Sequence, residues 1–270
     1  MARCLFLGEN KTMRILCIGD VVGERGLRFY ASHVSALKNK YNVDFTIVNG
    51  ENSAPTGTGI IKPGLNSLLT YADCVTTGNH SFRQRGWETL YDDEPFLLRP
   101  ENMMNGVVGH GIQTISHGKY TIRVINLIGL TFMGFSSRNP YDVMDQILKE
   151  SEPVNATIVD FHGEATSEKQ AFAWNYDGRI SAVFGTHTHV PTADARVLPK
   201  GTGFIADVGM TGPYQSILGV VPSLAIRKMR YTVPTRFSVA EGPCELDAVV
   251  FDIDPSNGLC TGVEQVIIRE

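Results

Sequence analysis

Residues 14–20, Arg-Ile-Leu-Cys-Ile-Gly-Asp (RILCIGD), set the pattern that decides the fold. A short apolar run closes on a glycine and an acid, which predicts a buried strand with a polar C-terminal end. The pattern recurs twice. The run at 45–48 ends in Asn49-Gly50-Glu51-Asn52, and the run at 74–77 ends in Gly78-Asn79-His80. Between the runs, Leu27, Tyr30, Val34 and Leu37 share one side of a helix predicted over 27–41. Pro63 suits the first turn of a second helix over 63–71. A β-α-β-α-β order of this kind predicts parallel strands joined by right-handed crossovers.

Downstream the texture changes. Short runs over 112–116 and 120–135, separated by His117-Gly118 and by Gly129, predict an antiparallel or mixed section. A helix over 141–149 leads into a strand over 156–161. Ser167 is expected to cap a helix reaching Asn175, with Gln170 as its capping-box partner. A strand follows at 182–184, then a hairpin over 197–208 and a short helix over 222–229. The Pro255-Ser256-Asn257-Gly258 turn predicts a hairpin of 246–254 with 263–268. No repeat, low-complexity stretch or linker interrupts this order. One domain over 13–270 is expected, with 1–12 a tail or an alternative start.

The composition excludes several classes. The 270 residues are 43% hydrophobic and carry a net charge of −4. That apolar fraction is too high for a disordered chain. Without a basic surplus, no dedicated nucleic-acid surface is expected. No apolar run approaches the length of a membrane span, so no membrane partner is expected. The five cysteines (Cys4, Cys17, Cys74, Cys244 and Cys260) are odd in number and form no C-x-x-C pair. They fit neither a disulfide framework nor a thiolate zinc site, and a cytoplasmic location is the expectation. Val21 breaks a dinucleotide fingerprint, Pro63 after Lys62 breaks a P-loop, and no G-x-S-x-G elbow occurs.

The polar residues collect at the strand ends. Five separate clusters deliver Asp20; Glu51 and Asn52; Asn79 and His80; His162; and His187 with His189. Each alone is an ordinary turn, cap or structural histidine. Together they fall at the carboxyl ends of the strands, where open α/β sheets bind ligands. A nitrogen and oxygen donor set without cysteine suits Mn, Fe, Zn, Co or Ni. There are too many donors for one four-coordinate ion. They suit two ions about 3.5–4 Å apart, an arrangement used for phosphoester hydrolysis. His33, His110 and His117 lie outside the clusters.

The motifs GDVVG (19–23), NGEN (49–52), GNH (78–80), DFHGEATSEK (160–169), GTHTHVPTAD (185–194) and DVGMTGP (207–213) resemble the calcineurin-like metallophosphoesterases. More narrowly, they resemble the bacterial YmdB-like cyclic-nucleotide phosphodiesterases, from Met13 to the C-terminus. The resemblance implies an α/β fold, a four-layer α/β/β/α sandwich with mixed sheets. It implies one metal held by Asp20, Glu51, Asn52 and His189. It implies a second held by Glu51, Asn79, His162 and His187, with Glu51 bridging and His80 as general acid. The cofactors implied are two divalent or transition metal ions, Mn or Fe ahead of Zn. The chain departs from the wider superfamily at Val22, where many members have histidine, at Glu51, where aspartate is usual, and at Ser81, where an acid would follow the histidine.

The reaction implied is hydrolysis of a 2′,3′- or 3′,5′-cyclic nucleotide by a hydroxide bridging the metals. Lys62, Arg83, Arg138 and the Thr211-Gly212-Pro213-Tyr214 segment are candidates to meet the base and ribose. The alternatives are a phosphomonoesterase, nucleotidase or small nuclease of the same superfamily, or a metal-bound regulatory or scaffold protein with incidental hydrolysis. The expected partner is a small phosphodiester, and a homo-oligomer is compatible with the chain.

Overall fold

The first strand, β1 (Met13–Ile18), sends its side chains into two different cores. Ile15 and Cys17 join one core, Leu16 and Ile18 the other. A strand alternates its faces, so one covered on both sides reads as an unbroken apolar run. The structure is a computed structural model and describes residues 12–134 and 136–270. Cys4 and the rest of the expected tail up to residue 11 lie outside the described residues, as does Phe135.

After β1 come β2 (Asp20–Val21), α1 (Gly23–Tyr41), β3 (Phe45–Asn49), α2 (Lys62–Leu69), β4 (Cys74–Thr76), α3 (Trp87–Asp93) and β5 (Leu97–Leu98). The middle holds β6 (Ile112–His117), β7 (Tyr120–Ile128), α4 (Pro140–Glu150), β8 (Ala156–His162), α5 (Thr166–Asn175) and β9 (Ala182–Thr186). The last part holds β10 (Arg196–Val197), β11 (Gly203–Ile205), β12 (Met210–Pro213), α6 (Pro222–Tyr231), β13 (Cys244–Asp254) and β14 (Leu259–Arg269).

The strands form two mixed sheets. In the first, β1, β3, β4 and β5 run parallel. The long β13 runs antiparallel to β1, β12 and β14. In the second, β7, β8, β9 and β11 are parallel, with β6 and β10 antiparallel at the edges. Met13, Phe45, Ile158, Phe184 and Phe251 fill the space between the sheets. Helices α1 and α2 cover the outer face of the first sheet through Tyr30, Val34 and Leu65. Helices α4 and α5 cover the second through Met144, Ile147 and Phe172. The layers therefore run α/β/β/α, as the resemblance implied.

Some boundaries differ from expectation. Helix α1 starts at Gly23, a turn before Leu27, because its first turn has few apolar side chains to announce it. A Cβ at Gly26 would stand 2.3 Å from the Thr211 carbonyl oxygen, so only glycine fits there. Ser167 does not cap α5: the N-cap is Ala165, with no side-chain cap. Glu168 in that first turn instead accepts from the Leu130 and Thr131 amides, at 2.9 and 3.1 Å. Of the runs over 120–135, the one before Gly129 forms β7, which ends at Ile128. The short β12 and α3 were not anticipated. The cysteines at 17, 74, 244 and 260 are free and buried. Among the described residues no helix is long and apolar enough to cross a membrane.

Candidate metal centre

The parallel strands β1, β3, β4, β8 and β9 end at one edge of the two sheets, and the loops after them meet there. Asn49, the last residue of β3, ties the two sheets together at this edge. Its amide nitrogen donates to Asp160 on β8 at 2.9 Å, and its oxygen accepts from the Glu51 amide at 3.1 Å. Glu51 is thereby turned inward and is almost wholly buried.

Three electron-pair donors converge beside it. His162 Nε2 lies 2.8 Å from Asn79 Oδ1, 3.1 Å from His187 Nδ1 and 3.3 Å from Glu51 Oε2. The tautomer of His162 follows from its other nitrogen. The Thr186 hydroxyl donates its one proton to Asp160 Oδ1 at 2.7 Å, so it accepts from His162 Nδ1 at 2.9 Å. Nε2 therefore presents a lone pair to an amide oxygen and a carboxylate oxygen. His187 Nε2 lies 3.2 Å from Glu164 Oε2, which leaves Nδ1 as its inward lone pair. Acceptors facing acceptors at these distances call for a cation. Separations near 3 Å are also those of ligands about 2.0–2.2 Å from a shared metal. Glu51, His162 and His187 stand out as a group able to hold an ion.

A second group lies on the other side of Glu51. Asp20 is wholly buried, and its Oδ1 has no hydrogen-bond partner. His189 Nε2 is 3.8 Å from that orphaned oxygen. The Leu218 carbonyl, 3.1 Å from His189 Nδ1, takes the other ring proton and keeps Nε2 unprotonated. Asn52 Nδ2 lies 3.0 Å from His189 Nε2 and 3.0 Å from Glu51 Oε1. Its oxygen faces His80 Nδ1 at 2.9 Å, so Asn52 would ligate through oxygen only after its amide turns over. Glu51 thus offers one oxygen to each group. A Cβ at Gly78 would come within 2.3 Å of both Glu51 Oε2 and His162 Nε2, so only glycine leaves this cradle open.

The electrostatics agree. Burial pushes the Asp20 carboxyl well above the usual range, and the charges of Glu51 and Asp207 add to this. Burial also raises Glu51, but His162 and His80 outweigh it and bring the net shift downward. Burial lowers His162 to about 3 and lowers His187 and His189, so all three imidazoles are neutral and able to donate a lone pair. Among the described residues neither Asp20 nor Glu51 pairs with a lysine or arginine. A donor set this anionic and this buried fits divalent cations.

His187 and His189 sit at φ 106° and 63°, a region unfavourable to non-glycine residues. The loop is pinned by His187 N to Asp20 Oδ2 at 3.1 Å and Thr188 N to Asp207 Oδ2 at 3.0 Å. His80 lies beside both groups. Its amide donates to Glu51 Oε2 at 3.2 Å, and Nδ1 is engaged by Asn52, which leaves Nε2 for the cleft.

That cleft, of about 480 Å³, opens over the centre and is lined by Glu51, Asn52, His80, His187 and His189. Its walls also include Val22 and Glu164, which stand in motifs already noted, and Thr56, Leu218, Lys228 and Phe237, which the sequence did not single out. Those four carry no signal of their own, because only the fold brings them to the cleft. Of the substrate candidates, Lys62, Arg138, Thr211 and Gly212 do not line this cleft, and Arg83 lines an adjoining one. Lys62 is exposed at the start of α2. Arg138 is held by the Glu101 and Met103 carbonyls at 2.8 and 3.4 Å. Thr211 and Gly212 are buried in β12, paired to β13 on one side, with Thr211 also paired to Val21 of β2 on the other.

Similarity to known proteins agrees with this geometry. The YmdB-like protein family matches residues 16–266. A Bacillus subtilis (strain 168) relative, 2′,3′-cyclic-nucleotide 2′-phosphodiesterase, is 45% identical over 260 residues, which covers 96% of this chain and 98% of that one. A crystal structure of a Mycoplasma pneumoniae protein described as a novel phosphatase aligns with a TM-score of 0.91 at 33% identity, over 96% of this chain and 94% of that one. One of a hypothetical protein from Thermus thermophilus aligns with a TM-score of 0.89 at 36% identity, over 96% of this chain and all of that one (100%). The matched span takes in every residue of the centre, and with it the chain belongs to the YmdB-like family, on the calcineurin-like metallophosphoesterase fold.

Proposed function

We propose that this chain hydrolyses 2′,3′-cyclic nucleotides at a two-metal centre. The chain is an enzyme, a phosphoric ester hydrolase; the proposal concerns its substrate and the make-up of its centre. The observation that carries it is the meeting of lone pairs from Asn79, His162, His187 and Glu51, with Asp20 Oδ1 and His189 Nε2 across the same carboxylate. The 45% identity to the Bacillus subtilis 2′,3′-cyclic-nucleotide enzyme supports this choice of substrate.

Two divalent cations, with Mn or Fe best suited to the donor set, would supply Lewis acidity toward the phosphoryl oxygens and acidify a water between them. Asp20, Glu51, Asn52 and His189 would hold one, and Glu51, Asn79, His162 and His187 the other. The neutral amides of Asn52 and Asn79 limit the negative charge that an anionic phosphodiester meets. His80 Nε2 donates a proton to the ribose oxygen that leaves phosphorus, a step worth roughly 10²–10⁴-fold. The Asn52 oxygen at His80 Nδ1 orients the ring for that transfer. Phe237 gives the cleft an aromatic surface for the base.

The test is a substrate panel on protein stripped of metal and reloaded with Mn²⁺. The expected order is adenosine 2′,3′-cyclic phosphate first, the 3′,5′-cyclic isomer second and p-nitrophenyl phosphate last, with two ions per chain. A faster phosphomonoester would establish a phosphatase instead. A single ion under saturating Mn²⁺ would overturn the two-metal centre.

A further inference from the structure

We propose that the substrate is the 2′,3′-cyclic phosphate end of a short oligoribonucleotide, whose preceding phosphates lie on Arg83, Arg85 and Arg236. The proposal rests on the hydrolysis of 2′,3′-cyclic phosphates proposed above and names the larger molecule that carries them.

A second cleft, of about 760 Å³, adjoins the catalytic one and shares Thr56, Thr58 and Phe237 with it. A mononucleotide is accommodated by the catalytic cleft alone, so the second is surplus to it. Its lining holds three arginines and no acidic residue. All three arginines are exposed, and among the described residues none of their guanidinium groups makes a hydrogen bond or ion pair. In a chain of net charge −4, three unneutralised guanidinium groups in one groove are a local reversal of sign. Guanidinium is the side chain best shaped for phosphate, which it can meet with two parallel N–H bonds.

The groove is tied to the catalytic loop. Arg83 N donates to the His80 carbonyl at 3.0 Å, so Arg83 and Arg85 follow the general acid along the chain. Gln84 between them donates to Thr56 Oγ1 at 3.0 Å and to the Thr58 carbonyl at 2.5 Å. These bonds fasten the wall shared by the two clefts. Arg236 comes from the segment after α6, next to Phe237. Lys228 Nζ lies 4.8 Å from the Phe237 ring centroid and extends the positive charge into the catalytic cleft.

The chemistry gives the polarity. Water oxygen bonds to phosphorus and gives up one proton to solvent, the bond from phosphorus to the ribose 2′ oxygen breaks, and that oxygen takes the proton from His80, which solvent then restores. The product ends in a 3′-phosphate. The ribose being processed is joined through its own 5′ oxygen to the next phosphate, which has to leave the catalytic cleft. The arginine groove is the exit lined for it. Two or three phosphates suffice, which is compatible with a chain too acidic for a long nucleic-acid track.

The experiment compares kcat/KM for adenosine 2′,3′-cyclic phosphate and for a triadenylate ending in the same cyclic phosphate. It uses the Mn²⁺-loaded full chain and its Arg85→Gln/Arg236→Gln variant. The expected result is a preference for the triadenylate of about tenfold or more, expressed in KM. The variant should lose that preference while the mononucleotide rate stays within about twofold. The log–log salt slope should also be steeper for the triadenylate, by about 0.7 per phosphate contacted. Equal kcat/KM for the two substrates in the native chain, or equal losses on both in the variant, would overturn the proposal. If the mononucleotide is not hydrolysed at all, the reading of the reaction fails. Fluorescence anisotropy with a labelled triadenylate 3′-phosphate then decides the groove: binding lost in the variant supports it, and no binding overturns it.

Discussion

Lys169 Nζ lies 2.7 Å from Asp207 Oδ2, and both side chains are wholly buried. The same ammonium donates to the Thr186 carbonyl at 2.8 Å, and the same carboxylate oxygen accepts from the Thr188 amide at 3.0 Å. The pair therefore brackets His187 from both sides. Its work is to hold a strained His-x-His turn in ligating position.

Lys169→Met would leave Asp207 buried and unpaired. Breaking a buried pair in this way costs about 3–5 kcal/mol, or roughly 10 °C in Tm for a chain of this size. Calorimetry should show that loss, together with weaker Mn²⁺ binding as the turn relaxes. An unchanged Tm would mean that the pair does not hold the turn.

His80→Ala should lower kcat on a cyclic nucleotide by roughly 10²–10⁴-fold while two ions per chain remain by elemental analysis. With a p-nitrophenyl leaving group, which needs little protonation, the loss should shrink to a few-fold. Equal losses on both substrates would argue against proton donation by His80.

Gly78→Ala should abolish metal binding in a chain that still folds, because its methyl carbon would come 2.3 Å from Glu51 Oε2 and His162 Nε2. Thr186→Val removes the acceptor that orients His162 Nδ1 and should weaken affinity by about 10–100-fold. Titration calorimetry with Mn²⁺ reads both. Full affinity in Gly78→Ala would place the ion elsewhere.

Metal removal should lower Tm, since Asp20 and Glu51 then share a buried pocket without a cation. At a hundredfold excess of Mn²⁺ over its Kd the expected stabilisation is about 2.7 kcal/mol per site. A Tm insensitive to chelator would count against resident metal.

Asp247 should give the fold a pH dependence of its own. Burial, helped by the charge of Glu245, pushes its carboxyl up to about 7, and its Oδ1 is buried without a partner. The unfolded value is about 3.9. Between those values the native state holds a proton that the unfolded state has lost, so stability falls as pH rises through the window. Asp247→Asn keeps an oxygen for the Met210 amide and removes the charge. The expected result is a higher Tm at pH 8 and little change near pH 4. A native Tm that does not fall from pH 4 to pH 7 relative to the variant would refute this.

Much of this was legible in the chain. Ile15 and Cys17 against Leu16 and Ile18 read as one apolar run, and the fold turns that run into two cores. Asp20, Glu51, Asn79, His162 and His187 all meet at the strand ends. Lys62 and Arg138 show the limit. A positive charge looks the same in sequence whether it meets a substrate, a carbonyl or water. Arg138 meets carbonyls.

The order of the main strands and the identity of the donors are written in local pattern. A polar residue that directly follows a buried strand is carried to the sheet edge by the covalent chain, whatever the rest of the molecule does. Packing sets which donors face one another, how the Asn52 amide is turned, and that Leu218, Lys228 and Phe237 form walls of the cleft. Those relations join segments far apart in the chain. They depend on how β13 pairs with β1 and β12 and on how the two sheets pack, which no local pattern encodes.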